Sequence, residues 1–142
     1  MGYLSEISGG DAKASAPGMR ASLPARLSGA LFGGAAAFQV CLVAGMPWGE
    51  FAWGGANPGV LPTGYRIASV GSAIVLTGLG LALGGATKGP VARRRLITGA
   101  LVFSAVSLVT NAISPSTPER AVWVPFALVQ LGLLLAARRI RE

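Results

Sequence analysis

The chain has no histidine, one cysteine and five acidic residues among its 142. Because histidine is absent, the usual general base is missing, and so is the commonest ligand of zinc and haem. Cys41 cannot form an internal disulfide, and in an apolar stretch a lone cysteine acts as a small hydrophobic residue. Five acidic residues leave no cluster of metal ligands. The sequence therefore predicts no catalytic residues, no metal site and no cofactor.

Charged residues make up 12% of the chain, whereas a soluble domain carries about 25%. Four stretches contain no charged residue, at about 27–46, 67–85, 96–113 and 121–137. An apolar helix of about 17–25 residues crosses a bilayer, so each stretch is long enough. The fourth helix should occupy 118–139, because Thr117 and Pro118 suit a helix start. The sequence predicts an all-α integral membrane four-helix bundle in residues 26–142, after a mobile tail in residues 1–25.

Most of the basic residues fall on one side of the membrane that the four predicted spans would cross. Ten of the 12 lie on one side of the path that four spans would follow: before the first, between the second and third, and after the fourth. Basic residues near spanning helices are held in the cytoplasm, so the pattern predicts that both termini are cytoplasmic. It also accounts for the net charge of +7 without nucleic acid as a partner. Only Arg66 and Arg120 are then left on the outer side.

The segment 46–66 joins the first two helices on the outer side of the membrane. It contains Trp48 and Trp53, and such rings favour the membrane interface. Asn57 begins an Asn-Pro-Gly turn, and Pro62 begins a Pro-Thr-Gly turn. We therefore predict a structured outer loop that folds as a compact cap over the bundle.

Small residues recur at helical spacing and should form contacts between helices. Gly29 and Gly33 lie in the first helix, and Gly80 and Gly84 lie in the second. Such residues let helix backbones approach closely in a membrane. The short loop 88–95 predicts that the second and third helices are antiparallel neighbours. The third helix carries one small and polar face, formed by Ala100, Ser104, Ser107 and Asn111.

Two acids and two bases meet at the outer end of the bundle. Glu50 and Glu119 could pair with Arg66 and Arg120 in a network that braces the cap. Alternatively, Glu50 binds a cation or a hydrogen-bond donor and Arg66 binds a carboxylate or phosphate, between apolar walls of tryptophan. The candidate ligand-binding residues are Glu50, Arg66, Trp48, Trp53, Asn57, Asn111, Glu119 and Arg120.

Polar side chains also occur inside the predicted spans. Gln39, Asn111 and Gln130 carry amides, which should hydrogen-bond between helices. A second interpretation is a ligand cavity or path with Ser104, Ser107 and Asn111 on its wall. Because no charge lies within the spans, a proton-coupled pump is disfavoured.

The run PWGEFAWGGANPGVLP before Arg66, together with Asn111 and the later PERAVW, resembles small four-helix membrane proteins of high-GC Gram-positive, actinobacterial type. The resemblance implies a bacterial plasma-membrane protein in which the cap and the Glu119–Arg120–Trp123 stretch form one unit. It implies no catalytic residues.

Three classes of function fit these features. The first is a non-catalytic multi-pass module, either an accessory subunit with a membrane-protein partner or a binder of lipid or hydrophobic ligand through the aromatic cap. The second is a small homo-oligomeric channel or transporter. The third is a lipid-modifying enzyme with Glu50 as acid or base. Membrane lipids are expected partners in each case.

Overall fold

The computed structural model of the protein describes residues 21–140. Within that range it contains four long helices and no strand. The predicted tail 1–25 lies almost wholly outside the described residues. The helices are α1 (Leu23–Ala44), α2 (Thr63–Leu81), α3 (Pro90–Ala112) and α4 (Thr117–Arg139).

Proline and glycine set most of the helix ends. Prolines occupy the first turn of α1, α3 and α4, where their missing N–H has no helical partner to lose. α1 ends at Gly45, whose φ of 93° is left-handed and favours glycine. α3 begins at Pro90 rather than near Leu96, because arginine is a good helix former and the helix continues beyond its apolar part. At α4 the Ser116 hydroxyl accepts the Glu119 N–H at 3.2 Å, as expected for a helix cap.

The four helices pack in the spatial order α2, α1, α4, α3. Gly29 of α1 lies against Gly80 of α2, and a Cβ at Gly29 would lie 2.7 Å from the Gly80 carbonyl oxygen. α2 and α3 make almost no contact, and the predicted second helix (67–85) meets α3 only through its last turn, so the prediction that the two are neighbours holds at that end alone. The segment Ala82–Ala86 is a wider helical turn that continues α2 and packs on both α1 and α3. Away from this turn, the bundle stays open between α2 and α3.

All four helices are long and apolar enough to cross a membrane. Their outer faces are apolar too, with large side chains such as Ile67, Ile74 and Leu81 about two-thirds exposed. Monomeric soluble proteins rarely expose such continuous apolar surface. The fold is consistent with a small membrane protein.

Candidate ligand-binding cavity

The segment between α1 and α2 folds into a cap, which we define as residues 45–62. It contains two short helical turns, Gly49–Phe51 and Trp53–Gly55. The indole N–H of Trp123 on α4 donates to the Phe51 carbonyl at 2.6 Å. This hydrogen bond holds the cap at the same end of the bundle as the start of α4.

Both arginines at this end bind carbonyl oxygens. The Nε and Nη2 atoms of Arg66 donate to the Val43 carbonyl at 2.9 and 2.5 Å. Val43 lies in the last turn of α1, where carbonyl groups lack helical partners. Arg120 donates to the Ser114 carbonyl just after α3 and to the Thr117 hydroxyl at 3.0 Å. Each arginine therefore satisfies backbone or hydroxyl oxygens near a helix end.

The two acids have different surroundings. Glu119 is 7% exposed, and its Oε2 accepts from the Gly54 N–H at 3.0 Å and from the Ser114 hydroxyl. Among residues 21–140, no side chain donates to its other oxygen, Oε1, and no base lies within ion-pair distance. Glu50 is exposed; its main-chain carbonyl accepts from the Ser116 hydroxyl at 2.6 Å, and within residues 21–140 its carboxylate has no hydrogen bond or ion pair. Of the four charged side chains, only Glu119 therefore bonds the cap, through the Gly54 N–H, and among residues 21–140 the predicted network of ion pairs does not form.

Aromatic rings fill the space under the cap. Trp48 stacks on Phe38 with 6.0 Å between ring centroids, and Trp123 meets Phe38 edge-on at 4.9 Å. The indole N–H of Trp53 donates to the Ser69 hydroxyl on α2 at 3.2 Å. Trp53 has a φ of 55°, and such a conformation costs about 1–3 kcal/mol in a non-glycine residue. The cap therefore holds Trp53 against α2 at some cost in backbone strain.

A cavity of about 800 Å³ lies beneath the cap in the gap between α2 and α3. This volume lies in the range of about 300–1,000 Å³ typical of small-molecule sites. Val75 of α2 and Val106 of α3 line it and are 51% and 58% exposed. Because these lining residues are exposed and α2 and α3 make almost no contact, we infer that the cavity opens sideways between the two helices.

The cavity extends about half way along the bundle. On α4 its lining begins at Glu119 and ends at Gln130. Eleven residues of helix separate these two, which corresponds to about 16 Å at 1.5 Å per residue. The hydrocarbon of a bilayer is about 30 Å thick, so the cavity has the depth of one leaflet.

The inner end of the cavity is polar. Ser104 and Gln130 are 2% and 1% exposed and both line it. The amide nitrogen of Gln130 donates to the Ser28 carbonyl at 3.2 Å, which fixes the orientation of the amide. At this end the Ser104 hydroxyl and the Gln130 oxygen have no hydrogen-bond partner within the described residues, and nor does the Gln39 oxygen, which lies nearer the cap, next to Phe38. Unpaired buried polar groups are costly in an apolar setting, so this end is suited to a polar group.

Three of the predicted ligand-binding residues line this cavity: Trp53, Asn111 and Glu119. The other five, Trp48, Glu50, Asn57, Arg66 and Arg120, are outside its lining. Ser104 and Ser107, which the sequence placed with Asn111 on one face, lie on the wall with it. Gln39 and Gln130 were predicted only to form contacts between helices, but both also line the cavity. The sequence feature that could have identified them as lining residues is a polar amide inside an apolar span.

The chain matches no family model, no curated protein and no solved structure. The resemblance to actinobacterial four-helix proteins therefore remains a prediction.

Proposed function

We propose that the protein is a membrane-embedded binding module for a lipid-like amphiphile. In this proposal it lies in a bacterial plasma membrane with both termini in the cytoplasm, as the sorted basic residues suggest. The cap then lies on the outer side, and the ligand comes from the outer leaflet. The observation that carries the proposal is the cavity between α2 and α3, which opens sideways and is one leaflet deep.

The walls of the cavity suit an amphiphile better than a water-soluble ligand. Phe32, Val75, Leu76, Phe103 and Phe126 supply much of the lining, while Glu119 lies at the cap end. A ligand held there would place its chain beside the apolar walls and its polar head under the cap. A ligand dissolved in the membrane could reach this site between α2 and α3 without crossing the cap.

The depth of the cavity favours binding over conduction. Its lining runs from the cap to Gln130, near the middle of α4, so it serves one half of the bundle. A small channel or transporter would need a continuous path through the other half, where the buried apolar side chains of Leu83, Ile97 and Leu134 pack together. We therefore prefer the non-catalytic binding module to the transport alternative.

The experiment that tests this proposal is native mass spectrometry of the protein extracted gently from its own membrane. Gly71 of α2 lines the cavity, and a Cβ there would meet no atom within 4 Å. The Cβ of Gly71→Phe therefore has room, and we expect its ring to occupy the opening. Gly78→Phe is the matched control, because Gly78 lies two turns further along α2, is equally open, and is outside the lining.

We expect the native protein and Gly78→Phe to retain the same small amphiphile, and Gly71→Phe to lose it. Equal retention by both variants would place the ligand elsewhere. Retention of a second protein in place of a small molecule would contradict the proposal and favour an accessory subunit.

A further inference from the structure

We propose that the amphiphile carries an ammonium group and that Glu119 is its counter-charge. This inference rests on the proposed function, because it names the chemical class of the ligand in the same cavity. It starts from a carboxylate that is nine-tenths buried, lines the cavity and lacks a basic partner among the described residues.

Glu119 is satisfied only in part. Both of its bonds, from the Gly54 N–H and the Ser114 hydroxyl, reach Oε2 and come from neutral donors. Arg66 and Arg120 donate to oxygens at helix ends instead. Burying a carboxylate without a positive partner is expensive, so its place in an apolar cavity calls for a cation from outside the described residues.

Helix capping does not explain the carboxylate. A glutamate at this position often reaches back to the backbone N–H of the cap residue. Here the N–H of Ser116 is taken by the Ser114 hydroxyl at 3.2 Å, and the start of α4 is capped by the Ser116 hydroxyl. The side chain of Glu119 is thus free to face the cavity.

Two tryptophans flank the carboxylate. Trp123 follows Glu119 by one turn of α4, and Trp53 directly precedes Gly54, whose N–H binds Glu119. Both rings line the cavity. Aromatic faces attract cations, and the unbonded Oε1 can accept a charge-assisted hydrogen bond from an N–H. Carboxylate and rings together form a site for an alkylammonium head, with the chain beside the apolar walls formed by Phe103 and Phe126.

The test compares dodecylammonium, dodecanol and dodecanoate in phosphatidylcholine nanodiscs, with tryptophan fluorescence as the readout. Trp53 and Trp123 should respond, because both line the cavity. Binding is corrected for the partition of each probe into empty nanodiscs. Because the three probes have the same chain length, the remaining differences in affinity come from the head groups. We expect dodecylammonium to bind about 10–100-fold tighter than dodecanol, the range for one charge-assisted bond, and dodecanoate to bind more weakly than dodecanol.

Glu119→Gln should abolish the preference for the ammonium over the alcohol while leaving dodecanol binding in place. Ser114→Ala is the matched control, because it removes a donor to the same carboxylate and keeps the charge. It should retain the preference. Equal binding of dodecylammonium and dodecanol by the native protein would overturn this inference and leave amphiphile binding standing. A preference that persists in Glu119→Gln would also overturn it, whereas binding of none of the three probes would contradict the proposed function as well.

Discussion

The contact between Gly29 and Gly80 offers a test of how α1 and α2 pack. In Gly29→Ala the new methyl group would lie 2.7 Å from the Gly80 carbonyl oxygen and 3.1 Å from the Gly84 nitrogen. Both neighbours are backbone atoms, so relief requires the helices to move apart. Overpacking of this kind costs about 1–3 kcal/mol. Alanine also improves helix propensity over glycine by about 0.5–1 kcal/mol, which offsets part of that cost.

Gly33→Ala gives the control on the same helix. A Cβ at Gly33 would meet no atom within 4 Å, so this variant gains propensity without a clash. We expect the free energy of unfolding to fall by about 1–2 kcal/mol in Gly29→Ala and to stay level or rise slightly in Gly33→Ala. Titration of mixed micelles with a denaturing detergent, followed by helicity, measures both. Equal effects of the two substitutions would refute the reasoning, because propensity alone would then account for them.

Two further predictions concern the cap end. Arg66→Met should lower the free energy of unfolding by about 1.5–3 kcal/mol, since it removes charged donors from the end of α1, whereas Glu50→Gln should change it by less than about 0.5 kcal/mol. The same detergent titration checks both, and a large effect of Glu50→Gln would show that its carboxylate has a structural partner. Trp123→Phe removes the donor to the Phe51 carbonyl, so the cap backbone should exchange its amide hydrogens about tenfold faster, as expected for a loss of about 1.4 kcal/mol. Unchanged exchange in the cap would mean that this hydrogen bond does not hold it.

The helical class of the protein could be predicted because it depends on local features. Charge-free stretches of spanning length indicate helices whatever their partners, and Thr117 and Pro118 mark a helix start that does not depend on the neighbouring helices. The boundary of α3 was harder, because an apolar span and a helix are different things. Arg93 and the two arginines after it interrupt the apolar span, but the helix continues through them.

The spatial order of the helices could not be predicted from loop length. A short connection normally joins neighbouring antiparallel helices, yet here α2 and α3 meet only at the wide turn Ala82–Ala86 and are apart elsewhere. The sequence ALGGA does not by itself predict a wide helical turn; its packing on α1 has to be known first. The cavity depends on this separation, so its outline was also beyond the sequence.

The candidate site was predicted in part. The polar face of Ser104, Ser107 and Asn111 follows from helical spacing alone and does line the cavity. The predicted pairing of acids with bases was not found among the described residues. The prediction counted charges and left out the unsatisfied carbonyl groups at helix ends, which bind Arg66 and Arg120 instead. That competition is visible only in three dimensions.

The most direct test of the central claim is photo-crosslinking in the native membrane, from benzoylphenylalanine placed at Phe103 or at Val102. Both residues are on α3 and are 40% and 60% exposed, but only Phe103 lines the cavity. The account predicts one discrete small-molecule adduct from position 103 and the mixture of bulk lipids from position 102. The same bulk mixture from both positions, or a protein adduct from position 103, would contradict a ligand-binding cavity between α2 and α3.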